Sequence, residues 1–293
     1  MTSAARDAVL PVDKHPGPTS HDVVARARRA LGIRKIGHTG TLDPFASGLM
    51  LLCVGKATRI AEYLTGMPKT YEATARLGIR TETLDTEGSP IGEVLDPSSV
   101  TEAAIEDALA ALRGPIDQVP PQYSAKKVGG VAMHRRARQG EHVELEPRRV
   151  VVHELVLLSW DGADLRFRVR CSSGTYVRAL ARDVGDSLSV GAHLTALRRT
   201  SVGAFDVADA LDQDRLDDPE AVAGAWLDPL AALAHLPRID VDAAGAATLG
   251  FGKALEVAET PDAALVTVAW DDTLAALGSV EGGLLKPRKV FVG

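Results

Sequence analysis

In a chain of 293 residues, the stretch GHTGTLDP at 37–44 gathers the side chains best placed for chemistry: His38 and Asp43, set among glycines, with Pro44 next. Proline disfavours the α region for the residue before it, so Asp43 is expected to be extended, its carboxylate projecting from a loop. Gly37, Gly40 and Gly48 permit tight turns or the close approach of a ligand. A projecting carboxylate can act as a nucleophile or as a general base. Asp-Pro also initiates turns, and a loop histidine often does no more than bond the backbone. The loop by itself leaves these readings open.

Other chemistries lack their residues. A phosphate-binding loop ending in GKAT needs glycine at Met50 and serine or threonine at Ala57, and has neither. There is no Gly-x-Ser-x-Gly elbow, no HExxH, no CxxC and no dinucleotide fingerprint after a strand. No metal site and no cofactor are expected. Cys53 and Cys171 lie far apart in apolar segments, which suits buried reduced thiols. No apolar stretch approaches the roughly 18 residues of a membrane span, and the N-terminus lacks a basic-then-apolar signal pattern. A cytoplasmic protein is expected.

The elements that must hold the loop are legible on either side of it. TSHDVVARARRALG reads as a helix with Thr19 or Ser20 as N-cap and Gly32 as its stop. LMLLCV, between Gly48 and Gly55, reads as a buried strand, and TYEATARLG and VVVHELVLLSW are strand-like. In DLRFRVRC, Leu165, Phe167, Val169 and Cys171 alternate with Arg166, Arg168 and Arg170, which predicts a strand with one basic face. Helical spacing returns in SVTEAAIEDALAALRG and TYVRALARDVGDSL. Strands and helices are interspersed without βαβ regularity, so the fold class is α+β with a mixed, largely antiparallel sheet. Beyond HLPRID the Gly-punctuated β-type runs ALVTVAW and RKVFVG point to a small β module over about 237–293.

Charge is unevenly spread. Residues 1–204 carry 27 Lys and Arg against 23 Asp and Glu, whereas residues 205–283 carry 3 against 16. The stretches 26–38 and 126–138 each hold five basic residues and no acidic one. Screening confines each charge to about 8–10 Å, so such clusters can neutralise phosphates despite a net charge of −6. A solvated helix face is the plainer reading of either cluster.

GHTGTLDPFASGLMLLCVGKATRI, KTYEA, PPQYSAKKVGG, CSSGTYVRALARDVG and HLTALRRTSVG, in that order, resemble the motifs of the TruB family of bacterial tRNA pseudouridine-55 synthases. The resemblance runs from about residue 11 to residue 205. It implies a pseudouridine synthase catalytic domain over 1–236, with an RNA-binding thumb-like insertion at about 121–149, followed by a PUA-like module over 237–293. The implied reaction isomerises uridine at position 55 of the tRNA T-loop, after the nucleotide is flipped out of its stack.

By that resemblance Asp43 is the catalytic carboxylate, Arg178 the cation that pairs with it and keeps it ionised, and Tyr71 the residue that stacks on the base and is implicated in proton transfer. Tyr176 and Leu197 match pocket-lining positions, and Lys14 matches a lysine that supports the pocket. His38 and Asp85 match RNA-contacting positions, while Lys126, Arg135, Arg136 and Arg138 are candidate phosphate contacts. The implied partner is the T-stem-loop of tRNA, met by a monomer with no obligatory protein partner and no membrane. Two positions depart from the pattern. His15 stands where the family has proline after Asp-Lys, and His134 where relatives carry an aromatic residue. Competing readings are an RNA-binding scaffold without turnover, a base-excising glycosylase, and a guide-RNA-dependent synthase of the same superfamily.

Overall fold

The computed structural model describes residues 7–123, 127–128, 131–132, 145–257 and 260–292. Its main sheet is built from β1 (Ala8–Lys14), β2 (Ile36–His38), β3 (Ser47–Val54), β4 (Lys69–Leu77), β5 (Gly114–Gln118), β6 (Arg148–Trp160), β7 (Asp164–Cys171), β8 (Ala192–Val202) and the short β9 (Leu211–Asp212). The strand order is β9, β1, β3, β8, β4, β7, β6, β5, and β2 pairs on β3. Only β1 with β9 and β3 with β8 run parallel; the other pairs are antiparallel. The mixed, largely antiparallel sheet expected from the sequence is therefore present.

Alternation along the strands decides which side chains face the helices. In β7 Leu165, Phe167, Val169 and Cys171 are buried, while Arg166, Arg168 and Arg170 are exposed on the opposite face. The apolar face is covered by α1 (Ser20–Leu31), α2 (Glu102–Ala111) and α3 (Val177–Ser187), whose Val23, Val24, Ile105, Leu180 and Val184 share one core with Tyr71, Ala73 and Phe167. Thr19 caps α1 through a capping box with Asp22, and Gly32 ends it in the left-handed conformation, φ 65°.

The opposite face of β1 and β3 is covered by the chain's C-terminal part. A second sheet contains β10 (Arg238–Asp240), β11 (Leu255–Glu256), β12 (Ala263–Trp270), β13 (Thr273–Glu281) and β14 (Leu284–Val290), in the order β10, β12, β13, β14, β11. Leu274 and Leu277 of β13 join Val9, Leu49, Leu51 and Leu233 in one apolar cluster, so this β-rich module is seated on the back of the main sheet. The acidic segment before it, 206–235, is not one helix. It breaks into short turns and helices capped by Asp206, Asp212, Asp218 and Asp228.

Two irregularities shape the site. Strand β8 slips register against β4 at Leu194/Ala196 and again at Arg199/Ser201, leaving Thr195 and Thr200 outside the regular pairing. Between the two slips, Leu197 pairs with Ala73 and Arg199 with Tyr71. Where β3 meets β8, Gly48 has φ 106° and lies so close to Arg199 that a Cβ would overlap its backbone.

Candidate active site

The loop between β2 and β3 carries Asp43. Its backbone carbonyl accepts from Ala46 N at 3.1 Å, so Asp43 does initiate a turn, with Pro44 at the second position. The turn and the projecting carboxylate coexist, because the turn uses only backbone. Lys14, fully buried at the end of β1, holds the turn in place: its ammonium donates to the carbonyls of His15 (3.0 Å), Asp43 (3.3 Å), Pro44 (3.2 Å) and Ala46 (2.6 Å). Burial lowers its pKa to about 8, against a smaller opposing pull from Asp43.

Asp43 lies at the edge of a cavity of about 250 Å³ also lined by Lys69, Tyr71, Tyr176, Arg178, Leu197 and Arg199. Its side chain remains 36% exposed, while that of Arg178 is 5% exposed. Arg178, in the first turn of α3, donates from Nε to Oδ2 (3.0 Å) and from one terminal nitrogen to Oδ1 (3.3 Å). This two-pronged contact fixes the carboxylate's direction and favours its ionised form. The remaining donors reach Thr83 O (2.6 Å), Tyr123 O (2.8 Å) and the carboxylate of Asp85 (3.1 Å).

Asp85 is held within the protein. Only 1% exposed, it turns inward onto Arg178, and its other oxygen accepts from the Thr83 hydroxyl and from Glu87 N at 3.0 Å. It is the second anion on one guanidinium. Burial raises the Asp43 pKa and Asp85 adds to the rise, while Arg178, followed by Lys14, acts in the opposite direction and favours the ionised form.

Tyr71 and Leu197 project from neighbouring strands into the cavity wall. Burial raises the tyrosine pKa, with Arg199 pulling the other way. Tyr176 caps α3, its backbone exchanging bonds with the Gln118 amide at 2.8 and 3.1 Å. His38 stands outside the cavity lining, half-buried, with its ring edge-on to His21 at 5.6 Å and Nδ1 unpartnered among the described residues. Burial lowers its pKa. Lys126, Arg135, Arg136, Arg138 and His134 lie outside the described residues.

His15 explains how this chain does without the family proline. Its backbone N–H donates to Gln213 Oε1 at 3.0 Å, a bond that proline could not make, and its ring nitrogens lie 3.1 Å from Asp212 and 3.4 Å from Asp214. The acidic segment is thereby tied to the residue next to Lys14.

Two charged cavity residues were not singled out by sequence reasoning: Arg199, 1% exposed, and Lys69, 6% exposed. Arg199 sat inside the quoted HLTALRRTSVG, but nothing in one sequence separates it from Arg198, which faces the other way and pairs with Asp13 at 2.7 Å. The alternation signal is interrupted there by the slips flanking the segment.

Comparison with known proteins gives concordant results. The model of the TruB family pseudouridylate synthase N-terminal domain matches residues 28–177, and that of the tRNA pseudouridylate synthase B C-terminal domain matches 178–233. A protein named tRNA pseudouridine synthase B from Azoarcus sp. (strain BH72) is 42% identical over 287 residues, covering 97% of this chain and 95% of the relative. One of the same name from Burkholderia pseudomallei (strain 668) is 45% identical over 303 residues, covering 100% of this chain and 99% of the relative. Among solved structures, an H/ACA RNP bound to a substrate RNA containing 2′-deoxyuridine aligns with a TM-score of 0.76 at 28% identity, covering 99% of this chain and 86% of that one.

Proposed function

Because the chain belongs to the TruB family of pseudouridylate synthases, we propose that it isomerises uridine to pseudouridine at position 55 in the T-loop of tRNA, with Asp43 as the catalytic carboxylate. The observation that carries this reading is Asp43 at the cavity edge, gripped by Arg178 and faced by Tyr71 and Leu197. The cavity has room for one base and walls suited to stacking. A uridine within the T-loop is inaccessible, so the nucleotide is flipped into the cavity, and the unstacking cost is offset by contacts there.

The reaction breaks N1–C1′, turns the uracil and rejoins it through C5, conserving every atom. Asp43 acts by adding to the substrate or by taking a proton that opens a glycal-type route. Arg178 orients the carboxylate, and Asp85, Thr83 and Tyr123 orient Arg178 in turn. Lys14 fixes the loop that carries Asp43. Tyr71 stacks on the flipped base, Tyr176 and Leu197 close the cavity around it, and His38 contacts the opened T-loop beside the cavity. Lys126, Arg135, Arg136 and Arg138 are assigned to backbone phosphates by family resemblance alone.

The protein acts as a monomer without a guide RNA or an obligatory protein partner. Support comes from the relatives: those named for tRNA are 42–45% identical, whereas the chain from the RNP structure is 28% identical. Two units are proposed, catalytic over 1–236 and PUA-like over 237–293. No helix among the described residues is long and apolar enough to cross a membrane, and a cytoplasmic location is part of the proposal.

The test uses unmodified tRNA with 5-tritiated uridine at position 55. Purified wild type alone should release tritium without free uracil, and Asp43→Asn should bind the tRNA but release tritium more than about 10⁴-fold more slowly. Binding without tritium release by wild type would favour the scaffold reading, and free uracil would favour the glycosylase.

A further inference from the structure

The cavity holds more positive charge than the pairing of Asp43 with Arg178 requires. Lys14, Lys69, Arg178 and Arg199 are buried in and behind its walls, against the carboxylates of Asp43 and Asp85, with the exposed Glu87 acting on Lys14 and Arg178 from outside the lining. Both carboxylates are taken up by Arg178. Neither Lys69 nor Arg199 makes an ion pair among the described residues. Arg199 donates to Leu49 O (2.6 Å) and Gly40 O (3.1 Å), and Lys69 to Thr65 O and Met67 O (both 2.7 Å). Backbone carbonyls hold these cations in place without neutralising them. A buried, uncompensated charge is costly, and two side by side cost more; burial followed by Arg199 lowers the Lys69 pKa to about 8.

Their placement indicates what meets them. In β4, Lys69 and Tyr71 are two residues apart on one face; in β8, so are Leu197 and Arg199. All four line the cavity, so the cations adjoin the surfaces assigned to the base. Heterolysis of N1–C1′ leaves the bonding pair on N1, from which charge spreads to O2 and O4. The uracil then turns, C5 supplies the pair that forms the new bond to C1′, C5 loses its proton and N1 gains one. Between the two bonds the ring carries a negative charge that neither the substrate nor the product has.

We propose that Arg199, assisted by Lys69, is a catalytic residue that stabilises the detached uracil as an anion. The inference rests on the isomerase reading above. Donors fixed in advance where charge develops favour the transition state over the bound substrate, and each typically contributes about 10²–10³ in rate.

The experiment compares wild type, Arg199→Gln, Arg199→Lys and Lys69→Gln in single-turnover reactions on the 5-tritiated tRNA. tRNA affinity is measured separately, and folding is checked by circular dichroism. Wild-type turnover tests the isomerase reading independently of the variants. Expected for Arg199→Gln is a rate constant about 10²-fold lower with affinity within about twofold. Arg199→Lys should recover part of the rate, and Lys69→Gln should show a smaller loss of the same kind. A second arm uses tRNA carrying 5-fluorouridine at position 55, scored by nucleoside chromatography as the disappearance of 5-fluorouridine, because C5 then has no proton to lose and the rejoined ring keeps its fluorine. Fluorine stabilises the uracil anion intrinsically, so the deficit of Arg199→Gln should shrink on it.

Weakened affinity with an unchanged rate constant would assign the cations to phosphate and overturn the proposal. So would folded Arg199→Lys as slow as Arg199→Gln, or an equal deficit on both uridines. If Arg199→Gln does not fold, Lys69→Gln on the two substrates decides by the same criteria.

Discussion

The cavity and the C-terminal module handle charge in opposite ways. Around Asp43, cations are buried and held by backbone carbonyls, and one guanidinium serves two carboxylates. In the module the interior cluster is Leu249, Val266, Val268, Ala276, Val280 and Leu285, and the ion pairs Arg238–Asp240, Arg238–Asp272 and Lys286–Glu281 lie at the surface. One region accepts an electrostatic cost to hold charge around a cavity; the other derives its stability from apolar burial. The difference is measurable because substitutions should separate into those that stop turnover and those that only loosen the fold.

The largest effect belongs to Arg178→Met, which leaves Asp43 and Asp85 facing one another without their cation. Single-turnover rates should fall by about 10³-fold, and urea unfolding should show a loss of about 3 kcal/mol. The removed cation no longer opposes burial, so the folded pKa of Asp43 rises further above its unfolded value. The stability deficit is thus full at neutral pH and shrinks as pH falls through that raised value. A deficit growing toward acid would contradict this.

Leu277→Ala probes the other side. Leu277 is fully buried where the module meets the main sheet, so unfolding should report a loss of about 2–5 kcal/mol. Well below the melting temperature, turnover should be unchanged. A specific fall in the rate constant would mean that the module shapes the cavity.

A pH series sharpens the comparison within one region. Lys14 and Lys69 both titrate near 8 when folded and near 10.5 when unfolded. Between those values the unfolded chain holds more protons, so their contribution to stability rises with pH. Turnover should move the opposite way, falling by about fivefold from pH 8 to pH 9 as the ammonium that anchors the Asp43 turn is lost. The smallest effect is expected of Arg238→Ala: its partners are exposed, and neither melting temperature nor turnover should change measurably.

Local signals made much of the fold legible. The Thr19 cap, the Gly32 stop and the alternation in 165–171 each correspond to the element they predict. The segment 206–235 was harder, because its alanines and leucines suggest a helix while its repeated Asp caps keep starting new turns. At the site, Asp43 was visible through Pro44 and its glycines, but the inward turn of Asp85 depends on Arg178, 93 positions away in sequence, and could not be read locally. Arg199 was hidden for a similar reason: whether it or Arg198 faces the cavity depends on pairing with Tyr71.

The two slips of β8 bear on how this protein can change length. Ala192 through Leu194 and Ala196 through Arg199 keep continuous partners on β4, and Thr195 and Thr200 are spare residues whose hydroxyls donate across to the carbonyls of Thr74 and Thr70. Losing either threonine closes the slip and leaves every other pairing as it was. Losing Arg198 instead changes the parity of the segment and exchanges the cavity face for the outer one. Deletion of one residue is therefore expected to disturb the cavity face less at 195 or 200 than at 198.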